Sequence, residues 1–301
     1  MRKYIVAVLL LTGCSWFEKK ANPKLDPMQR ARGTVSNYEA LVDDPYTLWH
    51  RCDSLTWAGA WNTGVLNPAS RVDHAAHEYT IIDGVRVEKT GQIHRHLDPC
   101  TGWRGEPSLE IVMGYMHSAL TANDCAGMQR MLDYAEANEW VMGTGPLEYT
   151  YHIVLAPIAW ALHDKLCGVS RISEQSEDAL ADQWGRLKRQ FEKLKHGYRG
   201  NVLMYYINLY GRTHGFIRPW HLEAVEYWAG ENPDSPIYAA LLARYSDDER
   251  FAGVYGPALN LFNRVCPHSV LPDPGAEAFH WGGHAPTAAL CAYTLSILEG
   301  R

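Results

Sequence analysis

The amino-acid sequence has no lysine- or arginine-rich cluster, no second long apolar run and none of the common nucleotide-binding motifs. A formal net charge of −6 over 301 residues, without a basic stripe, excludes the usual way of binding nucleic acid. After the first residues, no apolar run approaches the roughly 20 residues that cross a bilayer. The chain also lacks a P-loop, a Rossmann glycine motif and a Gly-x-Ser-x-Gly elbow, which argues against nucleotide-dependent enzymes and α/β-hydrolase esterases.

Cysteine is present but has no zinc-binding or redox spacing, because no two cysteines form a Cys-x-x-Cys pair. Beyond Cys14, the chain contains Cys52, Cys100, Cys125, Cys167, Cys266 and Cys291. An even number of cysteines in an exported chain permits up to three disulfides, although several could instead be buried free thiols. We expect at least one disulfide, and Cys52–Cys100 is the first choice because both residues lie near the same candidate site.

The first 14 residues combine a basic start, Met1-Arg2-Lys3, with an apolar run at residues 4–11 and the motif Leu11-Thr12-Gly13-Cys14. The apolar run is too short to remain in the membrane as a stable span. The pattern resembles the signal peptide and lipobox of bacterial lipoproteins. This resemblance implies export, cleavage before Cys14 and attachment of lipid to Cys14. An ordinary secretory signal, or a buried N-terminal helix, is the alternative.

The lipoprotein resemblance divides the chain into a signal peptide at residues 1–13, a lipidated N-terminus with a polar spacer at 14–27, and a single domain at 28–301. Ser15 follows the cysteine that would carry the lipid. In lipoproteins of Gram-negative bacteria, an Asp at that position tends to retain the protein in the inner membrane. Ser15 therefore favours an outer-membrane protein that faces the periplasm or the cell surface, with the membrane as a partner through the lipid anchor.

Helical periodicity dominates the chain beyond the spacer. One apolar face has the spacing i, i+3, i+4, i+7 and i+11 at Leu109, Val112, Met113, Met116 and Leu120. Similar patterns, with Asp124 and Pro219 as helix-start signals, predict further helices at 48–61, 125–140, 149–166, 177–195, 202–210, 219–228, 236–245, 255–264 and 286–298.

Asp83-Gly84 lies between two β-forming segments, residues 79–82 and 85–87, and predicts a β-hairpin. About ten helices, short turns and no fixed-period repeat predict a mainly α protein. We expect an (α/α) toroid, or an incomplete ring, of antiparallel helical hairpins with one small β-hairpin.

The densest polar segment, residues 91–110, contains two His, two Arg, one Asp, two Glu and one Trp, and it leads into a helix. Functional residues often lie on loops that a rigid scaffold holds in place. If Glu106 and Glu110 are both helical, they share one face. Glu106 is well suited to cap the helix, where the dipole favours an acid. Glu110 interrupts an otherwise apolar helix, so both a catalytic and a structural role remain open for it.

Several segments resemble α/α-toroid proteins of the carbohydrate-active kind. They are CDSL at residues 52–55, EPSLEIVMGY at 106–115, WVMG at 140–143 and FHWGGH at 279–284. The likeness extends over roughly residues 48–300, through loose motifs and without a diagnostic hydrolase signature.

The toroid resemblance implies a cleft at the ends of the inner helices, where two carboxylates cleave a glycosidic bond. By this resemblance, Glu110 is the general acid and Asp53 is the general base. Inverting chemistry would place the two carboxyl groups about 6.5–9.5 Å apart. For Asp53, the alternative is a helix cap or an ion pair with Arg51, Arg95 or Arg104.

The other candidate residues are side chains that would bind the sugar. They are His94, His96, Trp103, Arg104, Tyr151, His152, His280 and Trp281. In the segment at 280–284, the paired glycines let the chain approach a ligand and Trp281 can stack on a sugar ring, although packing at a helix start is equally consistent. The two histidines there lack the glutamate of a His-Glu-x-x-His motif, so we predict no metal and no cofactor.

Together these observations predict a membrane-anchored lipoprotein that acts on cell-envelope or extracellular polysaccharide, as a glycoside hydrolase with a carboxylate pair. The main alternative is a non-catalytic lipoprotein that binds a glycan or an envelope partner, so the sequence leaves open whether the protein is an enzyme. A polysaccharide lyase is a second alternative, because a base and a cation are available among His94, His96, Arg104, Tyr151 and His152.

Overall fold

The computed structural model describes residues 26–41, 59, 62–64, 67–95, 107, 109–141, 152–169, 181–182, 184–186, 188–189, 198–233, 235–246, 253–266 and 287–300. Over these residues the protein is mainly helical, with one small antiparallel sheet of two strands. Both features confirm the sequence prediction. None of the helices in these ranges is long and apolar enough to cross a membrane.

The continuously described helices are α1 (Pro27–Leu41), α2 (Leu109–Ala122), α3 (Cys125–Ala137), α4 (His152–Cys167), α5 (Tyr198–His214), α6 (Pro219–Glu231), α7 (Pro236–Tyr245), α8 (Tyr255–Val265) and α9 (Thr287–Glu299). Residues 181–182, 184–186 and 188–189, within the predicted helix at 177–195, are also helical. The strands are β1 (Glu78–Ile82) and β2 (Val85–Ile93), and two 3-10 turns, Pro68–Ser70 and His74–His77, precede them.

Local sequence signals explain where several elements begin. Asp124 caps α3, since its carboxylate accepts a hydrogen bond from the backbone N–H of Gly127 at 2.9 Å. Pro219 lies in the first turn of α6, where its missing N–H costs nothing. Asp83 and Gly84 turn the hairpin with φ of 51° and 79°, the left-handed conformation that a two-residue turn requires.

Helices α2 and α5 run in the same direction. On α2, the Nε2 of His117 donates to the carbonyl of Tyr205 on α5 at 3.0 Å. One turn further along α2, the hydroxyl of Thr121 accepts from the guanidinium of Arg212 at 2.9 Å. Moving toward the C-terminus of α2 therefore means moving toward the C-terminus of α5.

Helix α4 ends beside the end of α5. The Nζ of Lys165 donates to the carbonyls of Arg212 and Thr213, at 2.5 and 3.2 Å. A disulfide between Cys125 and Cys167 also joins the first residue of α3 to the last residue of α4. Since α3 starts directly after α2, the C-terminal ends of α2, α4 and α5 lie on one side of the molecule.

Helices α7 and α9 end on that side as well. The hydroxyl of Tyr245, the last residue of α7, donates to the side chain of Asn208 on α5 at 3.0 Å. The guanidinium of Arg244 donates to the carbonyl of Gly300, directly after α9, at 3.2 Å. Five helices, α2, α4, α5, α7 and α9, are therefore parallel to one another.

Helices α3 and α6 run the opposite way, because short turns reverse the chain before each of them. Residues 123–124 join α2 to α3, and residues 215–218 join α5 to α6. Helix α1 packs on α8 and α9: Asn263 donates to the carbonyl of Pro27 at 2.9 Å, and Arg32 pairs with Glu299 at 2.5 Å.

Two disulfides, Cys125–Cys167 and Cys266–Cys291, confirm the expectation of at least one. The second links the residue after α8 to α9. The first-choice pair, Cys52–Cys100, lies outside the described residues. Disulfides of this kind are compatible with an exported protein.

Helix α2 is buried on every side rather than along one face. All residues from 111 to 119 are buried, including His117 and Ser118. The predicted single apolar face was therefore incomplete. The reason is that α2 contacts α3, α4 and α5, so solvent does not reach any side of its central turns.

Two glycines pack backbone to backbone against helices, Gly59 against α2 and Gly64 against α9. A methyl group added to Gly59 would overlap the backbone of Gly114, and one added to Gly64 would overlap the backbone of Ala292. Residues 62–64 are helical, beyond the predicted helix end at residue 61. The Asn62 side-chain amide pairs with the N–H and carbonyl of Val72, both at 2.8 Å.

These close approaches predict opposite effects for two Gly→Ala changes. Gly64→Ala is expected to destabilise the fold by about 3 kcal/mol or more, because rigid backbone cannot yield to the added methyl group. Gly33→Ala, on α1 with nothing within 4 Å, is expected to stabilise it by about 0.5–1 kcal/mol through helix propensity. Urea unfolding measures the free energy of unfolding of both variants. If the two changes alter it equally, this packing is contradicted.

Candidate functional site

The five parallel helices begin on the side opposite to the one where they end. Helices of 14 to 17 residues, such as α2 and α5, are about 21–25 Å long, so the two sides are well separated. Glu110 is the second residue of α2 and His152 is the first residue of α4. The structure therefore brings the backbones of these two predicted site residues to the same side of the molecule.

His94 lies at the base of the hairpin. Its ring stacks on Tyr79 with 3.9 Å between centroids, and its N–H donates to the carbonyl of His77 at 3.0 Å. The carbonyl of His94 accepts in turn from the Nδ1 of His77 at 3.1 Å. Because β2 packs on α3, these contacts hold His94 in the hairpin beside α3.

The remaining predicted site residues lie outside the described part of the chain. They are Cys14, Asp53, His96, Trp103, Arg104, Tyr151, His280 and Trp281. The side chains of Glu110 and His152 also lie outside it, so the described geometry consists of their helix positions.

A buried ion pair joins the hairpin to α3, and sequence analysis missed it. Glu78 is fully buried, and its two oxygens accept from the guanidinium of Arg130 at 2.7 and 2.8 Å. The hydroxyl of Tyr115 donates to the same carboxylate at 2.6 Å. Burial, together with the adjacent carboxylate, raises the pKa of Tyr115, whereas hydrogen bonding to Glu78 raises the pKa of Arg130.

Asp124 and His74 extend this network. The Nε2 of His74 lies 3.0 Å from the Asp124 carboxylate, and the His74 ring packs edge-on against Tyr115. Partial burial alone would raise the pKa of Asp124, but the hydrogen bond from Gly127 and the contact with His74 lower it overall. The network therefore locks the hairpin, the start of α3 and the middle of α2 together.

A second polar network lies between α2, α5 and α9. His117 donates through Nε2 to the carbonyl of Tyr205, so its Nδ1 is left to accept from Arg212 at 3.0 Å. Burial, and then the charge of Arg212, lower the pKa of His117 well below its usual range and keep the ring neutral. The ring of Tyr293 stacks on Tyr205, with 5.0 Å between centroids.

Aromatic side chains line the corner between α5 and α6. The buried ring of His221 packs edge-on against Tyr210 at 4.6 Å, and its Nδ1 accepts from the N–H of Arg218 at 3.1 Å. Burial and the positive charge of Arg218 lower the pKa of His221 to about 3. Phe216, in the same corner, is 54% exposed, and Trp220 is partly exposed. This corner is the one place in the described chain where a large aromatic ring is more than half exposed.

Within the described ranges, no group of three or more His, Cys, Asp or Glu side chains is placed to hold a metal ion. An apolar void of about 10 Å³ lies between α2, α3 and α4, lined by residues that include Met116, Met131 and Trp140. That void is too small and too apolar for a sugar.

Comparison of this chain with protein-family models, with curated proteins and with solved structures found no match.

This ion pair predicts that Glu78→Gln destabilises the protein by about 2 kcal/mol, since a neutral amide at the fully buried Glu78 position cannot accept all three hydrogen bonds from Arg130 and Tyr115. Asp182→Asn is the matched control. It breaks the Arg186–Asp182 pair, whose side chains are 71% and 65% exposed, and should cost under about 1 kcal/mol. Urea unfolding measures both changes. If Glu78→Gln lowers the free energy of unfolding by no more than Asp182→Asn does, the ion pair does not hold the hairpin on α3.

Proposed function

We propose that the chain is an exported lipoprotein, anchored through Cys14, that hydrolyses cell-envelope or extracellular polysaccharide. Glu110 and Asp53 form the carboxylate pair. The main support for the proposal is that the five helices run in the same direction. Glu110 and His152 therefore lie at the starts of neighbouring helices, on one side of the molecule. Sugar-binding residues are proposed to surround that side: His96, Trp103, Arg104, Tyr151, His152, His280 and Trp281. His94 is held in the hairpin against Tyr79 and is not grouped with them.

We further propose that the helices form an (α/α) toroid. The alternation of parallel inner helices with reversed outer helices supports this arrangement. Contacts between the first and last parts of the chain support closure of the ring: Gly64 packs on Ala292 of α9, while Gly59 packs on Gly114 of α2. Helix α1 then occupies the outer layer beside α8 and α9.

In this proposal, Glu110 protonates the leaving glycosidic oxygen and Asp53 activates a water on the opposite face of the sugar. The start of α2 favours a carboxylate in its ionised form, because the helix dipole is positive there. Glu110 must therefore be desolvated by substrate or by neighbouring side chains to serve as the acid. If the helix dipole has a larger effect on the pKa of Glu110 than desolvation, Glu110 acts as the general base and Asp53 as the general acid.

The aromatic corner favours a second candidate function, that of a non-catalytic lipoprotein that binds a glycan or an envelope partner. Phe216 and Trp220 present rings near the surface of that corner. Exposed aromatic faces suit the apolar faces of sugar rings. Binding of this kind requires no carboxylate pair.

Turnover tests the main proposal. Protein beginning at Ser15 is incubated with peptidoglycan and with neutral and acidic polysaccharides, and both reducing ends and the absorbance of unsaturated uronates are recorded. We expect reducing ends without that absorbance. Asp53→Asn and Glu110→Gln should each lower the rate by about 10²–10⁴-fold, as expected for loss of a general acid or base. Glu106→Gln is the matched control and should retain activity.

Other results overturn the assignment in different ways. Uronate absorbance that is insensitive to both changes would indicate a lyase and move the site to the His, Tyr and Arg residues. Absence of product with retained glycan binding would favour the non-catalytic lipoprotein.

A further inference from the structure

Three cationic side chains meet where α2, α4 and α5 end. The guanidinium of Arg71 lies 3.4 Å from the carbonyl of Thr121, and Arg212 donates to the hydroxyl of the same threonine at 2.9 Å. Lys165 contacts the carbonyls of Arg212 and Thr213. Thr121 thus links the two arginines, and the backbone of Arg212 links them to the lysine.

Among the residues that the structure describes, positive charge exceeds negative charge at this place. Each helix end contributes roughly half a negative charge, so three ends offset only about half of the three cations. Among the residues with described positions, Arg71, Lys165 and Arg212 form no ion pair with a carboxylate. Burial lowers the pKa of Arg212, and burial followed by the charge of Arg212 lowers the pKa of Lys165, so the two cations lie close enough to interact.

Two side chains on α2 hold the guanidinium of Arg212 in position. Nδ1 of the neutral His117 ring accepts from Nη1, while Thr121 accepts from Nη2. Arg71 and Lys165 are exposed, and Arg212 is partly exposed, so an ion from solvent can reach the group. An oriented guanidinium with two exposed cationic side chains beside it is a combination of groups with which proteins bind phosphate.

We propose that Arg71, Lys165 and Arg212, whose guanidinium Thr121 helps to position, form a binding site for a phosphate group on the side of the molecule where the parallel helices end. The ligand is either a free phosphate or the headgroup of an anionic phospholipid, because both present the same oxyanion. This site is independent of the proposed hydrolase and lies at the opposite ends of the same helices.

Calorimetric titration of the full chain, carrying Cys14→Ser so that no lipid is attached, tests the site with inorganic phosphate at low ionic strength. We expect saturable binding that weakens as salt is added. Arg71→Gln and Lys165→Gln should each weaken it about tenfold or more, as expected for loss of a charged hydrogen-bond donor. Arg186→Gln, which removes an exposed arginine elsewhere, is the matched control and should leave binding unchanged.

Co-sedimentation with vesicles distinguishes the two sources of phosphate. Binding to phosphatidylcholine vesicles that contain phosphatidylglycerol, but not to phosphatidylcholine alone, with loss in Arg71→Gln, identifies a headgroup. Phosphate binding without vesicle binding identifies a free phosphate. No binding of phosphate by the wild-type chain, or an equal loss in Arg186→Gln, overturns the proposal.

Discussion

Five helices that end on one side of the molecule bring the negative ends of their dipoles next to one another. This arrangement is unfavourable unless positive charge is placed among those ends. The chain supplies it with side chains that contact terminal carbonyls: Arg71 at α2, Lys165 at α5 and Arg244 after α9. The other side of the same helices has the positive dipole ends, which suit a carboxylate such as that of Glu110.

Buried polar side chains then determine how the other elements attach to the parallel helices. Glu78 would be costly to bury alone, but Arg130 and Tyr115 satisfy both of its oxygens, and the hairpin is thereby held on α3. His117 is accommodated inside α2 because its neutral ring has a partner at each nitrogen. Such pairs add less net stability than their number suggests, but breaking either one leaves a buried polar group without a partner.

Local features were predictable from the sequence, because neighbouring residues determine them. The Asp83-Gly84 turn, the Asp124 cap and the bounds of α7 are as predicted. Helix α1 was not predicted as a separate element, because its apolar residues are few and packing on α8 and α9 stabilises it.

Long-range pairs could not be predicted. Glu78 and Arg130 are 52 residues apart, and His117 and Arg212 are 95 apart, so no spacing rule connects them. One signal was available, since a histidine within the apolar run of α2 indicates a buried polar partner. Glu110 and His152 lie on the same side of the molecule because their helices run in the same direction. Only tertiary contacts determine that direction, so the sequence could not predict this part of the candidate site.

The parallel arrangement of these helices is the central claim, and mapping the disulfides tests it most directly. A non-reduced proteolytic digest of the protein, analysed by mass spectrometry, should contain a peptide pair in which Cys125 is linked to Cys167. That link can form only if α2 and α4 end on the same side, since Cys125 follows α2 closely and Cys167 is the last residue of α4. Cys125 bonded to a different cysteine, or recovered as a free thiol, would contradict the account.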